Sequence, residues 1–345
     1  MTAPSLLDLD RQALEDRLAA WGEPAYRARQ IWEGIYRHGA SDPSALSALP
    51  AALRRRLDEA FAFRVFEVRA VARSRDGRTT KWLLGRRGEA LAVEAVRMTY
   101  DRRRTACIST QAGCAMGCSF CATGQMGLVR NLTPGEIVEQ VLWVSTEGTL
   151  SNVVLMGMGE PFHNYDATMA ALDRLTDPGA FGIGARRITL STVGIVPMIR
   201  RFAAERRQVN LAVSLHGATD EVRDRLVPIN RRYPLAELLE ACREYLATTR
   251  RRLTFEWALI RDVNDGIDQA RALAGLLRGM LCHVNLIPLN PTRGYGGAAS
   301  DPERAEAFRR ILLAGGIACT LRVRRGIDIQ AGCGQLATDV PSRAA

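Results

Sequence analysis

From about residue 105 onward, short apolar segments alternate with longer segments that carry apolar residues at helical spacing. This alternation predicts parallel strands joined by right-handed helical crossovers. Six strand–helix repeats are too few for a closed eight-stranded barrel. We therefore predict an α/β fold, an open (β/α)6 partial TIM barrel. The predicted strands cover residues 105–110, 152–156, 187–192, 209–215, 253–260 and 284–289, and the predicted helices cover residues 133–145, 166–175, 196–204, 235–248, 268–277 and 302–313.

The first predicted barrel strand leads into a short loop that contains Cys114, Cys118 and Cys121, spaced C-x3-C-x2-C with no fourth cysteine nearby. Three thiolates from one glycine-bearing loop are what a [4Fe–4S] cluster needs if one iron is to stay unligated by protein. Such an open iron can bind a small molecule directly. The loop resembles that of the radical S-adenosylmethionine (SAM) enzymes. This resemblance implies that the open iron chelates SAM and that Phe120 packs against the adenine of SAM.

Two other interpretations of the three cysteines are open at this point. Buried cysteines often serve as small apolar residues, although three in one glycine-containing loop fit the cluster template better. Structural zinc needs four ligands, commonly two C-x2-C pairs. Only Cys118 and Cys121 form such a pair, so the spacing favours the cluster.

Most of the predicted barrel strands end in glycine or in polar residues. Ligands of such folds bind at the carboxyl ends of the strands. Glycine lets the backbone approach a ligand, a carboxylate can accept from an ammonium, and hydroxyl and amide groups suit ribose hydroxyls and a carboxylate. One such residue alone can be an ordinary turn, but five strand ends on one rim predict a cofactor-binding site. Its predicted residues are Gly159, Glu160, Ser191, Ser214, His216 and Asn290.

Two further cysteines stand outside the predicted cluster. Cys107 lies on the first barrel strand, and Cys333 lies near the C-terminus between two glycines. Flanking glycines permit a mobile, exposed loop that could swing over the barrel mouth, but they also permit an ordinary tight turn. Three other cysteines fall in helical or strand patterns and are predicted core residues, namely Cys242, Cys282 and Cys319.

The N-terminal part of the chain is predicted to be a small helical domain, residues 1–60. Apolar residues have helical spacing over 14–20 and 26–38, and a third, basic helix begins after Pro50. Its arginines form either a phosphate-contacting face or a solvated helix surface. These arginines are Arg27, Arg29, Arg37, Arg54, Arg55 and Arg56.

Residues 61–100 are predicted to form a β-hairpin extension. Alternating apolar residues flank Asp76-Gly77, which is a hairpin turn signal, and a further strand contains Glu94 among apolar neighbours. Alternation alone leaves Glu94 either on a solvent-facing side or in a site. The remaining predicted divisions are the barrel with its C-terminal cysteine loop, 101–335, and a tail, 336–345.

The chain has a formal net charge of +10, with 47 Lys and Arg against 37 Asp and Glu. This balance fits a polyanionic partner such as RNA, or simply a soluble basic surface. Lys81 is the only lysine, so the basic residues are almost all arginine. No segment is apolar enough to span a membrane, and the first twenty residues do not resemble a targeting segment. We therefore expect a cytoplasmic protein that does not bind membranes.

The chain is similar, over nearly its whole length, to the bacterial dual-specificity RNA methyltransferases, which methylate carbon-2 of adenosine in 23S rRNA and tRNA. Related antibiotic-resistance enzymes methylate carbon-8 of the same rRNA adenosine and share the cluster and the cysteine pair. Two departures are visible: residues 99–104 lack the family's acidic run, and Gly217 replaces an alanine. The matching stretches are residues 26–32, 107–114, 125–132, 156–161, 213–216, 285–288 and the Cys333 loop.

The resemblance implies a reaction in two stages that uses two SAM molecules per turnover. Cys333 takes a methyl group from one SAM, and a 5′-deoxyadenosyl radical from the second removes hydrogen from that methyl group. The resulting methylene radical adds to the adenine, Glu94 removes the ring proton, and Cys107 forms a disulfide with Cys333 to release the RNA. The resemblance also implies an electron donor such as flavodoxin or ferredoxin, and we expect a monomer.

Two other classes of protein are alternatives. A zinc-stapled, non-catalytic RNA-binding protein explains the charge and the cysteines but not the polar strand ends. A radical SAM enzyme for a peptide or small metabolite explains the cluster but not Cys107, Cys333 and the basic helical domain.

Overall fold

The computed structural model describes residues 3–90 and 92–338. The chain begins with three helices, α1 (Arg11–Ala20), α2 (Tyr26–Tyr36) and α3 (Ala51–Ala60). Asp10 caps α1 because its side chain accepts from the Ala13 N–H at 2.7 Å. The apolar faces of the helices meet in a buried cluster that is continuous with the core of the barrel. The helical unit is therefore packed onto the rest of the chain.

Three antiparallel strands follow, β1 (Phe66–Arg73), β2 (Thr79–Arg86) and β3 (Ala92–Tyr100). Gly77 in the turn between β1 and β2 has a positive φ of 66°, as the turn signal predicts. Strand β3 then pairs antiparallel with β4 (Arg103–Cys107), the first strand of the barrel. The extension is thus continuous with the barrel sheet.

The barrel consists of parallel strands with helices between them, as the alternation predicts. All six predicted strands and all six predicted helices of the barrel are present, and their ends lie within three residues of the predicted ones. A short sheet of β5 (Gln111–Gly113) and β6 (Leu128–Asn131), with helix α4 (Ala122–Gln125), brackets the cysteine loop. The remaining elements are α5 (Pro134–Ser145), β7 (Asn152–Leu155), α6 (Tyr165–Thr176), β8 (Ile188–Thr192), α7 (Val196–Ala204), β9 (Asn210–Ser214), α8 (Asp220–Leu226), α9 (Leu235–Thr249), β10 (Leu253–Leu259), α10 (Ile267–Leu276), β11 (Cys282–Pro288), α11 (Pro302–Ala314) and β12 (Ala318–Leu321).

One parallel strand is additional to the six predicted. Strand β12 pairs with β11, so the large sheet has the order β1-β2-β3-β4-β7-β8-β9-β10-β11-β12. It is only four residues long and none of its residues is fully buried, so it lacks the apolar run that marks the other strands. Among the helices that the structure describes, none is both long and apolar enough to cross a membrane.

Of the predicted tail, residues 339–345 lie outside the described residues, whereas Leu336 is buried against the core.

Candidate active site

The cysteine loop is held in place by backbone hydrogen bonds. The Cys114 N–H donates to the Gly127 carbonyl at 2.8 Å, and the Cys121 N–H donates to the Cys118 carbonyl at 3.1 Å. A Cβ at Gly124 would lie 2.9 Å from the Cys118 nitrogen, so α4 packs directly against the loop. These local contacts hold the backbone of the cysteine loop in place.

The three cysteines of the loop fit an iron–sulfur cluster by their donor chemistry. Burial raises the pKa of Cys114 to about 12, and the neighbouring Cys121 thiol adds to this shift. The pKa of Cys118 is raised for the same two reasons. Thiolates gathered in this way need a cationic centre to stabilise them. Among the described residues, no three His, Cys, Asp or Glu side chains are grouped to hold a single metal ion. A cluster instead spreads its ligands over several irons.

Glu160 lies near the cysteine loop, because its charge helps to raise the pKa values of Cys114 and Cys118. Its carboxylate accepts from the Phe162 N–H at 3.0 Å and from the Val193 N–H at 2.8 Å. Burial raises its pKa to about 7. Gly159 has a φ of 98°, and a Cβ there would lie 2.5 Å from Gln111. Gly159 and Glu160 are thus closely packed after the end of a barrel strand. The Glu160 carboxylate can also accept a hydrogen bond from an ammonium group.

His216 supports the predicted SAM-binding phenylalanine. Its Nδ1 accepts from the Ala258 N–H at 2.9 Å, so Nε2 carries the proton of the neutral ring. Burial and the charge of Arg223 lower its pKa to about 3. The ring meets Phe120 edge to face, with centroids 4.8 Å apart. His216 is therefore neutral at physiological pH and orients Phe120 by contact.

Arg223 is a functional candidate that the sequence analysis missed. It is fully buried, and its guanidinium donates to the carbonyls of Leu215 at 3.0 Å and Ser214 at 3.2 Å. It also donates to the Val193 carbonyl at 2.6 Å. Arg223 thus joins the ends of β8 and β9, where half-buried Ser191 and Ser214 lie. An arginine in the short helix α8 carries no sequence signal for this role.

Asn290 joins the barrel to the C-terminal loop, which we define as residues 326–338. Its amide nitrogen donates to the Cys333 carbonyl at 3.0 Å. Its side-chain oxygen is buried and has no hydrogen-bond partner among the described residues. The donor of Asn290 is therefore engaged by the loop, and its oxygen is left as an acceptor for a hydroxyl such as that of a ribose.

The structure brings Cys107 and Cys333 to the same part of the barrel. Cys107 is buried at the end of β4, and burial raises its pKa to about 12. Cys333 is exposed, but the surrounding protein raises the pKa of its thiol to about 12, and Glu256, Cys107 and Cys121 add to the effect. Both thiols are free. The C-terminal loop therefore places Cys333 within electrostatic reach of both Cys107 and the cysteine loop.

Glu94 lies inside the protein, which resolves the ambiguity left by strand alternation. Its side chain is fully buried, and Oε1 lies 2.8 Å from the Lys81 ammonium. Oε2 accepts from the Ala337 N–H of the C-terminal loop at 3.1 Å. Burial raises the pKa of Glu94, and Lys81 opposes this shift. The sequence analysis missed Lys81 as its partner.

Gly217, where the chain departs from the family pattern, lies too close to α8 for any larger residue. A Cβ there would lie 2.8 Å from the Arg223 nitrogen and 2.9 Å from the Arg223 Cα. We expect Gly217→Ala to lower the free energy of unfolding by about 1–3 kcal/mol, because the helix that carries Arg223 would have to move. Denaturant unfolding measures this change.

The matched control is Gly275→Ala in α10, where a Cβ would meet nothing within 4 Å. We expect this substitution to stabilise the protein by about 0.5–1 kcal/mol, since alanine is the better helix former. Equal effects of the two substitutions would contradict the packing argument.

Comparison with known proteins identifies the family. The family model described as "Radical SAM superfamily" matches residues 108–273. The model described as "Ribosomal RNA large subunit methyltransferase N-terminal domain" matches residues 5–62. A solved radical SAM methyltransferase from Sphaerobacter thermophilus has a TM-score of 0.95 and 50% identity, covering 97% of this chain and all of that one.

Curated relatives agree over the full length. The chain is 52% identical to dual-specificity RNA methyltransferase RlmN 1 of Myxococcus xanthus, with 99% of this chain and 96% of that protein covered. It is 49% identical to a probable dual-specificity RNA methyltransferase RlmN of Chloroflexus aurantiacus, covering 96% and 92%. The predicted resemblance, fold and cofactors are thereby confirmed. The chain belongs to the RlmN family of radical SAM RNA methyltransferases, which use a [4Fe–4S] cluster and SAM.

Proposed function

We propose that this enzyme methylates carbon-2 of adenosine in 23S rRNA and in tRNA, with Cys333 as the methyl carrier and Cys107 as the thiol that releases the product. The observation that supports this most is the convergence of two free thiols, one on β4 and one on the C-terminal loop. A direct methyl transfer from SAM needs neither thiol. The names of the relatives favour RNA as the substrate.

The electronic structure of adenine explains the need for a carrier. Carbon-2 lies between two ring nitrogens and is electron-poor, so it cannot displace the methyl group of SAM as a nucleophile. When bound, the cluster supplies the electron that cleaves SAM and so provides the radical that activates a carried methyl group. In the proposed route, Cys333 sulfur first forms a bond to the methyl carbon as the sulfonium bond of SAM breaks.

The remaining steps belong to the residues around Cys333. After the methylene carbon bonds to carbon-2, the ring regains aromaticity by giving up one electron and one proton. The electron would return to the cluster that had given one to SAM, and Glu94 is the proposed acceptor of the proton. The Cys107 thiolate then attacks the Cys333 sulfur, so that an S–S bond replaces the S–C bond. The released carbon takes up a proton and becomes the methyl group. An external dithiol must reduce the disulfide before the next turnover.

The nature of the product tests this proposal. Anaerobically reconstituted protein, SAM and a reductant are incubated with a 23S rRNA fragment or with tRNA, and the nucleosides are separated against 2-methyladenosine and 8-methyladenosine standards. We expect 2-methyladenosine from both RNAs. Formation of 8-methyladenosine would instead support the carbon-8 alternative.

The helical residues 1–60 are the proposed RNA-contacting domain. Several arginines of the predicted face are engaged within the protein: Arg27 donates to the Ala48 carbonyl at 3.1 Å, and Arg56 stacks over Trp21 at 4.6 Å. Arg29 and Arg55 are exposed and free to meet phosphates.

Charge reversal tests the contribution of these two arginines. We expect Arg29→Glu together with Arg55→Glu to weaken RNA binding and to flatten its salt dependence by about 0.7 logarithmic units per lost phosphate contact. Filter binding at several salt concentrations measures both effects. The control is Arg278→Glu, another exposed arginine, between α10 and β11. If Arg278→Glu weakens RNA binding equally, the affinity depends only on the net charge of the protein.

The electron donor, the monomeric state and the cytoplasmic location stay predictions.

A further inference from the structure

We propose that Lys81 is a positioning residue that couples Glu94, the proposed proton acceptor, to the seating of the C-terminal loop that carries Cys333. This inference rests on the proposed function. Lys81 lies on β2 and Glu94 on β3.

The Lys81–Glu94 pair contacts the C-terminal loop on both sides of Cys333. The Lys81 ammonium, 2.8 Å from the Glu94 carboxylate, also donates to the Gln330 carbonyl at 3.2 Å. The second carboxylate oxygen accepts from the Ala337 N–H at 3.1 Å. One buried ion pair therefore binds the loop before and after the residue that carries the methyl group.

The strand register explains why the two side chains meet. Lys81 is paired with Val96, and Glu94 is paired with Leu83, so Lys81 and Glu94 are diagonal neighbours on adjacent strands. Diagonal neighbours lie within reach of long side chains. Their side chains are 3% and 0% exposed, so neither charge can be satisfied by bulk water. Removing one charge would leave the other unpaired inside the protein.

The use of lysine here is informative because the chain otherwise uses arginine. Of 47 basic residues, Lys81 is the only lysine, and the other 46 are arginine. A lysine ammonium is a compact point charge with three donors, whereas arginine presents a planar fork. A compact donor can meet a carboxylate and a carbonyl oxygen at once in a closed space. We therefore expect Lys81→Arg not to replace the native residue.

Cys333 must receive a methyl group and then deliver it, so the seating of its loop matters to the reaction. When the loop is seated, the Glu94 carboxylate is held by both Lys81 and the Ala337 amide. When the loop leaves, the pair loses the Gln330 carbonyl and the Ala337 N–H together. Lys81 thus favours the charged form of Glu94, and the seated loop adds the two contacts, from Gln330 and Ala337, that fix the pair in place.

The first test measures loop seating without cluster, SAM or RNA. The rate of amide hydrogen exchange in the C-terminal loop, which includes the Ala337 N–H, is followed by peptide mass spectrometry in the cluster-free protein. We expect Lys81→Met to raise this rate about tenfold, as the loss of one hydrogen bond from a charged group implies. The control is Arg78→Met, an exposed cation just before β2, which should leave the rate unchanged. An unchanged rate in Lys81→Met would overturn the seating role.

The second test measures the coupling to Glu94 in the reconstituted enzyme with RNA. We expect Lys81→Met and Glu94→Gln each to accumulate RNA covalently joined to the protein, and the double variant to accumulate no more than either. Lys81→Gln keeps a donor for Gln330 but lacks the charge, so it should show near-native hydrogen exchange in the C-terminal loop and still accumulate the adduct. Full turnover by Lys81→Gln would overturn the inference, whereas absence of adduct in Glu94→Gln itself would count against the proposed function.

Discussion

Replacing Cys118 with alanine is expected to abolish the iron–sulfur cluster and SAM cleavage while leaving the protein folded. Cys118 is one of three thiols available to the cluster from this loop, so its loss leaves only two protein ligands. The loop geometry survives because its hydrogen bonds are made by the backbone. The Cys118 carbonyl, which alanine retains, accepts from the Cys121 N–H at 3.1 Å.

Iron and sulfide content after anaerobic reconstitution, together with the yield of 5′-deoxyadenosine, measures this effect. Both should fall to background. The control is Cys242→Ala, which removes a fully buried thiol from α9. That variant should lose some stability through the small cavity it creates, but it should bind iron normally. Full iron content in Cys118→Ala would show that the cluster has other ligands.

The second large effect distinguishes the proposed roles of Cys107 and Cys333. Cys333→Ala is expected to place no carbon on RNA, because the proposed methyl carrier is gone. Cys107→Ala is expected to complete methyl loading and addition to the base, since neither step needs the second thiol. Release is blocked because the Cys333 sulfur has no attacking thiolate. This variant should therefore accumulate protein covalently joined to RNA.

A denaturing gel before and after nuclease treatment detects the adduct. We expect a nuclease-sensitive shift for Cys107→Ala and none for Cys333→Ala. The control is Cys319→Ala on β12, which should turn over like the native protein. Normal turnover by Cys107→Ala would show that this buried thiol is structural and that another group releases the RNA.

Local patterns in the sequence predict most of the barrel and the position of the cysteine loop. The barrel strands are apolar runs that end in glycine or polar residues, and both features belong to single segments of chain. Strand β12 was not predicted because it is short and none of its residues is fully buried. Its place in the sheet depends on its neighbour β11 rather than on its own composition.

Some contacts of the site were not predicted from the sequence. They join segments that are distant along the chain and depend on how those segments meet in the fold. The Lys81–Glu94 pair exists because of one particular register between β2 and β3, and a slip of one residue would turn Glu94 to the other face. Arg223 reaches three carbonyls at the ends of neighbouring strands, which no spacing in its own segment reveals. Asn290 was predicted for the cofactor, yet its donor binds the Cys333 carbonyl.

The most direct test of the proposed methyl relay uses SAM with a fully deuterated methyl group. Reconstituted protein is run through several turnovers on RNA, and the methylated adenosine and the 5′-deoxyadenosine are analysed by mass spectrometry. Because activation of the methyl group on Cys333 removes one hydrogen from it, we predict a product methyl that retains two deuterium atoms, with the third found in 5′-deoxyadenosine. A product methyl that keeps all three deuterium atoms would mean direct transfer from SAM to the base, and would contradict the relay through Cys333.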